Sequence, residues 1–265
     1  MNVEDLPDPE VIALSVLHQG EQYKPPIDTT RLAGLWPGLR ISYDDLERPG
    51  YLVDLGVLGA EIIVRAADSP VRQRFTVAHE LGHWVLSREV ATEGHRVFDC
   101  SSKRMEQWCD RFAASLLMPR PWVEKGLRRR RMSGLIDALV VEPSTYGVSH
   151  DAFRFRVAEL TAISIYELES KNGSTDVAHR YESRGLTGNS RSQALSEVWN
   201  AISECPIGGR RHHPTLQLMS QYKMVVHDRA RSVWLVCVGP SKTSPAEASP
   251  DLQRATPMQP RWRSG

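Results

Sequence analysis

The chain has 265 residues, of which 41% are hydrophobic and 25% are charged, a composition typical of a globular protein of one or two domains. Its formal net charge of +1 gives no general attraction to nucleic acid or to an anionic membrane, so any such contact must come from a local patch. No run approaches the ~18 apolar residues of a membrane span. The acidic N-terminus lacks the basic start of a secretory signal, so we expect a cytoplasmic protein with reduced cysteines.

The first part of the chain predicts a short helix from about Thr29, followed by a small sheet. The segments "LRISY", "GYLVDLG" and "AEIIVRA" are short, rich in β-branched or aromatic residues, and bounded by Gly, Pro or Asp. Their tight connections predict a three-stranded antiparallel sheet. A free strand edge could bind an extended peptide, and "AEIIVRA" is the strand to which we assign that role.

The segment "SPVRQRFTVAHELGHWVLSREV" has the apolar periodicity of a helix that begins near Ser69. His79 and His83 lie one turn apart on one helical face, so their imidazoles can reach a single divalent metal ion. Glu80 is rotated by about 100° from His79, which places it beside the metal, where it can take a proton from bound water. Gly82 costs roughly 1 kcal/mol relative to Ala in a helix interior, and this cost predicts close approach of a second element.

A second helix, "KRMEQWCDRFAASLLMPRPW", offers the third ligand that a catalytic metal site needs. Glu106 lies early in it, and Asp110 follows one turn later on the same face, where it can accept the outer N–H of a ligating histidine. Taken alone, the two acids are equally well explained as solvated charges near a helix N-terminus. Their combination with "HELGH" upstream favours metal ligation. Cys109 faces away from this side by helical phase, which is typical of a small buried residue.

Together, "RFTVAHELGHWVL" and "EQWCDRFAASLLMP" resemble the ImmA/IrrE family of cytoplasmic metallopeptidases. Members typically show F-T-x-A-H-E-x-G-H and then E-x-x-x-N-x-F-A-A-x-L-L-M-P, so Asp110 stands where Asn is common. By position, the resemblance implies His79, His83 and Glu106 as metal ligands and Glu80 as the general base. It also implies a zincin-like fold and cleavage of a partner transcriptional repressor, often of the helix-turn-helix type, which derepresses stress or mobile-element genes.

Two neutral imidazoles and one carboxylate suit Zn²⁺ and also tolerate Mn²⁺ or Fe²⁺. We predict zinc, and the family resemblance leaves manganese open. A further donor is expected for the oxyanion of the reaction. The candidates are Tyr43, Tyr51, His95 and Arg74, which the sequence does not rank, although a lone loop histidine such as His95 is more often simply solvated.

Downstream, "STYGVSHDAFRFRVAEL" resembles the helix-turn-helix-like segment that follows the peptidase in this family. Gly147 would form the turn and Ser149 would cap the next helix, leaving Arg154 and Arg156 outward. A module that packs on the peptidase or grips the repressor is favoured over direct DNA binding, because no base-reading set is identifiable. The basic run Arg128–Arg131 is typical of a solvated helix face or linker, and could instead steer DNA or an acidic partner.

The expected architecture is α+β, with a zincin-like peptidase domain, a helix-turn-helix-like helical segment, a small C-terminal α/β module of unknown role and a disordered tail. These four parts are assigned to residues 1–125, 126–172, 173–239 and 240–265. Within the third part, "QALSEVWNAISEC" predicts a helix and "KMVVHDRARSVWLVCVG" predicts a hairpin.

The predicted function is that of a metal-dependent endopeptidase with a helix-turn-helix-type repressor as its protein substrate. The main alternative is a non-enzymatic regulator, in which the metal is structural and the basic helical module binds DNA or a partner protein. A third is one member of a toxin–antitoxin or prophage pair that sequesters its partner. A closed fourth ligand position would favour the structural site, and an open position would favour the enzyme.

Overall fold

The computed structural model describes residues 6–91, 102–128, 139, 142–161, 164–171, 174–181, 225–228 and 233–238. The principal helices are α1 (Pro9–Gln19), α2 (Thr29–Ala33), α3 (Pro70–Ala91), α4 (Lys103–Leu117), α5 (Arg120–Arg128) and α6 (His150–Leu160), with a short 3-10 helix at Gly56–Leu58. The strands are β1 (Leu39–Asp44), β2 (Gly50–Asp54), β3 (Ala60–Arg65), β4 (Ser164–Lys171), β5 (Ser174–Tyr181), β6 (Val225–Asp228) and β7 (Val233–Val238). The chain forms two compact units, Met1–Leu160 with Asp228–Arg231, and Thr161–His227 with Ser232–Gly265.

The sheet of the N-terminal unit is mixed, so the predicted antiparallel sheet is wrong in one of its two pairings. The strand order is β1-β3-β2; β1 pairs with β3 in parallel, and β2 pairs with β3 antiparallel. β3 takes the centre because its alternate residues Ala60, Ile62 and Val64 are fully buried. Both edges of β3 are therefore paired, and "AEIIVRA" cannot add a peptide strand.

β2 is an edge strand of this sheet, and none of the strands in the described residues pairs with its outer side. The Arg65 N–H donates to the Pro49 carbonyl (2.8 Å) and the Leu55 N–H donates to the Gly59 carbonyl (2.9 Å). The backbone N–H and C=O groups of the odd-numbered residues of β2 therefore point to β3. Because antiparallel pairing alternates along a strand, the backbone groups of Leu52 point away from β3. The strand also lies against α3, since a Cβ at Gly50 would come within 2.5 Å of Thr76 Cγ2.

α3 and α4 approach closely at Gly82, as the sequence predicts. A Cβ on Gly82 would lie 3.1 Å from Phe112 Cδ1 and 3.3 Å from the Cα of Cys109. Cys109 is buried at this contact, which confirms its predicted packing role. The crossing point lies between the histidine pair of α3 and the first turns of α4, and it brings the backbones of the two helices together beside the predicted ligands.

The segment that ends the N-terminal unit has the predicted turn but not the predicted surface. Gly147 adopts φ 62°, and the Ser149 hydroxyl accepts the Ala152 N–H (3.1 Å) at the start of α6. Helical turns at 142–146 and in α6 flank this glycine. Arg154 and Arg156, expected to point outward, are instead 0% and 1% exposed.

Arg156 can be buried because its guanidinium donates hydrogen bonds to three acceptors. Its Nε donates to the Met118 carbonyl (3.1 Å), and its two terminal nitrogens donate to the carboxylates of Glu159 and Glu10. Glu10 also accepts the Ser115 hydroxyl and the Arg120 N–H, each at 3.1 Å. These bonds join α1, α4, α5 and α6, so the helical segment after α5 packs on the helices that precede it in this unit.

The C-terminal unit contains a four-stranded sheet of order β5-β4-β7-β6. Residues 164–171, which we expected to be helical, form β4 and pair antiparallel with both β5 and β7. Pairing with β7, distant along the chain, overrides the local pattern. β6 and β7 are sheet neighbours, in agreement with the predicted hairpin. The predicted helix in "QALSEVWNAISEC" and the predicted tail lie outside the described residues.

None of the described helices combines the length and hydrophobicity that crossing a membrane requires.

Candidate metal centre

Two helices supply the candidate ligands, and each is held in place by local sequence. α3 carries His79 and His83 on one face, while neighbouring Ala78 and Leu81 are fully buried against the core. α4 begins at Ser102, whose hydroxyl accepts the Met105 N–H (3.3 Å), and this cap places Glu106 in the first turn. The sequence therefore predicted both the helices and the side of each that faces the other.

His79, His83 and Glu106 converge on one point. The two Nε2 atoms are 3.1 Å apart, and Glu106 places Oε2 3.2 Å from His79 Nε2 and Oε1 3.4 Å from His83 Nε2. Ligands about 2.0–2.2 Å from zinc in a tetrahedron stand roughly 3.3–3.6 Å apart. The donor separations of 3.1–3.4 Å are at or slightly below this spacing, and these three residues form a possible metal-binding group in the described part of the chain.

Asp110 contacts the far side of the first histidine, as predicted. Its Oδ1 lies 2.9 Å from His79 Nδ1. A carboxylate at this position holds the proton on Nδ1 and leaves the Nε2 lone pair directed at the cluster. The corresponding Nδ1 of His83 is buried and has no hydrogen-bond partner among the residues described. The two imidazoles are therefore supported differently.

The electrostatics of the two histidines are also unequal. Burial lowers the pKa of His79, but the hydrogen bond that His79 donates to Asp110 and the charges of Glu80, Asp110 and Glu106 together raise it above its usual value. Burial and the neighbouring His79 lower the pKa of His83. The two imidazoles therefore differ in their electrostatic surroundings as well as in their hydrogen bonds.

Glu80 is buried beside the cluster at the open edge of β2. Its side chain is directed to the sheet, where the carboxylate accepts the Leu52 N–H. Burial raises the pKa of Glu80, although the charges of His79 and Arg48 and the Leu52 hydrogen bond oppose that rise. A carboxyl with a raised pKa next to a metal site is suited to accept and return a proton near neutral pH.

The candidate oxyanion donors that the structure describes lie in different surroundings. Tyr43 is 52% exposed on β1, the strand separated from β2 by β3. Arg74 donates through Nη1 to the Gly147 carbonyl (2.8 Å), and its role as an oxyanion donor remains a prediction. Tyr51 lies on β2 next to Leu52, with the Arg48 guanidinium 4.1 Å above its ring, and it remains a prediction. His95 lies outside the described residues.

Sequence reasoning missed the contributions of Leu52 and Arg48 to the surroundings of Glu80. Both depend on how β2 lies along α3, which the alternation of residues along the strand does not reveal. Gly50, the residue that permits this contact, was the available signal, because glycine within a strand often marks close approach of another element.

A pair of helices bearing two histidines and a glutamate, with a buried carboxylate beside them, is the arrangement of an HExxH-type metal site. Residues 33–157 match the model of the IrrE N-terminal-like domain of peptidase family M78. The matched span includes the mixed sheet, α3, α4 and the whole donor cluster. Residues 33–157, just under half of the chain, are thus similar to an IrrE N-terminal-like domain.

Individual relatives are distant. The radiation response metalloprotease IrrE of Deinococcus radiodurans is 36% identical over 74 residues, which are 26% of this chain and 22% of that relative. The chain thus matches about a fifth of the relative's length. A solved structure of a Mycobacterium tuberculosis transcriptional regulator covers 70% of this chain and 58% of its own, with 16% identity and a TM-score of 0.49.

Proposed function

We propose that this chain is a metal-dependent endopeptidase, with zinc held by His79, His83 and Glu106 and with Glu80 as the general base. The observation that carries the proposal is the convergence of three donor atoms next to a buried carboxylate at an open strand edge. A purely structural site requires the ligands and has no use for the carboxylate. Manganese is the alternative metal, because imidazole and carboxylate donors also suit Mn²⁺.

The metal would supply a Lewis acid that activates water and polarises the scissile carbonyl. The chain's own residues do the remaining work. Glu80 takes the proton of the attacking water and later delivers it to the leaving amine. Asp110 keeps the His79 tautomer that directs Nε2 to the cluster. The Leu52 N–H orients the Glu80 carboxylate, so the base is positioned before substrate binds.

Substrate would lie along β2 rather than β3. The Leu52 N–H is engaged by Glu80, so an extended peptide would pair with the remaining outward backbone groups of β2. Main-chain pairing at this edge would align a peptide bond with the donor cluster, which is the positioning that peptide hydrolysis needs.

The proposed substrate is a helix-turn-helix-type repressor, whose cleavage would derepress stress or mobile-element genes. Support comes from the ImmA/IrrE resemblance and from the relative named as a radiation response metalloprotease. The burial of Arg154 and Arg156 weighs against direct DNA binding by α6, because neither guanidinium can reach a phosphate or a base. A role in packing or in gripping the repressor is favoured for this segment.

The test is co-expression with the helix-turn-helix regulator encoded nearest to this chain, with zinc or manganese supplied. We expect a single cleavage of the regulator, detected by intact mass. Glu80→Gln is the control, since it should keep the metal and lower the cleavage rate by roughly 10²–10⁴-fold. Binding of the regulator without cleavage under either metal would instead support the non-enzymatic regulator.

A further inference from the structure

The turn between β2 and β3 exposes three large aliphatic side chains in a row of four residues. Val57 is 103% exposed, Leu58 is 75% exposed and Leu55 is 40% exposed. We call residues 55–58 the apolar tip. Isolated apolar side chains are common on protein surfaces, but a cluster at the end of a protruding turn marks a contact site more often than a packing accident.

The backbone of the apolar tip is fixed. Asp54 Oδ1 accepts the Gly56 N–H (2.8 Å), and the Leu58 and Gly59 N–H groups close the 3-10 turn at 3.2 Å. Gly59 has φ 105°, and any Cβ there would come within 2.2 Å of the Gly38 carbonyl oxygen. The turn is therefore packed closely against Gly38, the residue before β1. This fixed conformation exposes the side chains of Val57 and Leu58 to water.

The apolar tip is continuous with the strand edge that passes the candidate base. Leu52 contacts Glu80, and Leu55 follows three residues later, about 10 Å along an extended strand. A peptide that pairs with the outer edge of β2 and crosses the donor cluster would reach the apolar tip about three to six residues from the bond at Glu80.

We propose that the apolar tip is a docking surface for the substrate protein, which binds a short aliphatic or aromatic run about three to six residues from the cleaved bond. This inference rests on the proposed peptidase function. An extended segment of the substrate is the occupant because the surface leads directly to the open edge beside Glu80. A second copy of this chain on the same edge would cover the place where a peptide must lie.

The experiment compares binding of displayed random peptides of about twelve residues, long enough to span β2 and the tip. The bait is the zinc-supplied Glu80→Gln protein, with and without Val57→Ser and Leu58→Ser. A matched control carries Val11→Ser and Tyr23→Ser, which remove two exposed apolar side chains from α1 and the loop after it. Metal content and thermal unfolding of all three proteins confirm that the fold is retained.

We expect peptides with an apolar pair to be selected by the bait and by the matched control, and to bind the tip variant at least about tenfold more weakly. Equal binding to the tip variant, or no selection at all, would overturn the inference. So would tip-dependent dimerisation of the protein in solution.

Incubation of the selected peptides with the wild-type protein separates the two proposals. Tip-dependent peptides that are cleaved support both. Tip-dependent peptides that resist cleavage with zinc and manganese retain the docking surface and remove the peptidase. Peptides that are cleaved but bind the tip variant equally well support the peptidase and overturn the docking surface.

Discussion

The N-terminal unit contains two clusters of polar and charged side chains that differ in how their charges are balanced. Around Arg156, this cation donates to two carboxylates and a carbonyl, and Arg111 pairs with one of the two carboxylates, Glu159, so two positive charges face two negative ones. At the metal centre, two imidazole nitrogens and a carboxylate face one another within 3.4 Å. The first cluster is electrically complete and joins helices, whereas the second becomes complete only with a cation.

The largest effect should come from removing a ligand. His83→Ala and Glu106→Ala should each lower bound zinc from about one ion per chain to near zero, because a three-residue site cannot lose a donor and hold the metal. The measurement is metal content after equilibration with zinc and gel filtration. His18→Ala, an exposed histidine on α1, is the control and should keep the metal. Full zinc content in both ligand variants would refute the assignment.

The substitution Arg156→Met should disrupt the cluster of paired charges around Arg156. Removing the cation leaves Glu10 without its charged partner and Glu159 with only the half-exposed Arg111, and we expect a loss of about 3 kcal/mol in unfolding free energy. Urea denaturation measures it. Arg111→Ala is the matched control, since Arg111 pairs with the same Glu159 while 48% exposed and should cost less than ~1 kcal/mol. Similar losses in the two variants would mean that burial does not distinguish them.

Asp110 tests whether the support of a ligand matters as well as the ligand itself. Asp110→Ala should weaken zinc binding by about 10–100-fold, because His79 loses the acceptor that fixes its tautomer. Asp110→Asn keeps an acceptor oxygen and should lose less. Competition with a zinc chelator gives both affinities, and equal affinity in the alanine and wild-type proteins would contradict the role of Asp110.

The smallest effect concerns the glycine where the helices meet. Gly82→Ala would gain helix propensity of about 1 kcal/mol, but its Cβ lies 3.1–3.3 Å from Phe112 and Cys109. We expect no net gain in stability and a zinc affinity reduced by less than about tenfold. Gly126→Ala on α5 is the control, since its Cβ meets nothing within 4 Å and should gain the full amount. Equal gains in thermal stability would show that the close approach is unimportant.

The donor set could be predicted from sequence because its geometry is local. His79 and His83 are placed by helical periodicity alone, and the cost of Gly82 signalled the second helix. The sheet order could not be derived in this way, since β1 and β2 follow each other in the chain but pair only with β3. Arg156 was misplaced for a similar reason, because its partner Glu10 lies 146 residues away and helical phase alone does not reveal it.

The Glu10 contacts have a consequence for the boundary of the domain. The family-matched span begins at residue 33, yet Glu10 binds Arg156 and Ser115, and the Trp108 indole donates to the Pro7 carbonyl (2.7 Å). A polypeptide that began at residue 33 would lack the Glu10 carboxylate that pairs with the buried Arg156 guanidinium and the Pro7 carbonyl that accepts from the Trp108 indole. The span that matches the family model is therefore shorter than the part of the chain that packs together as one unit.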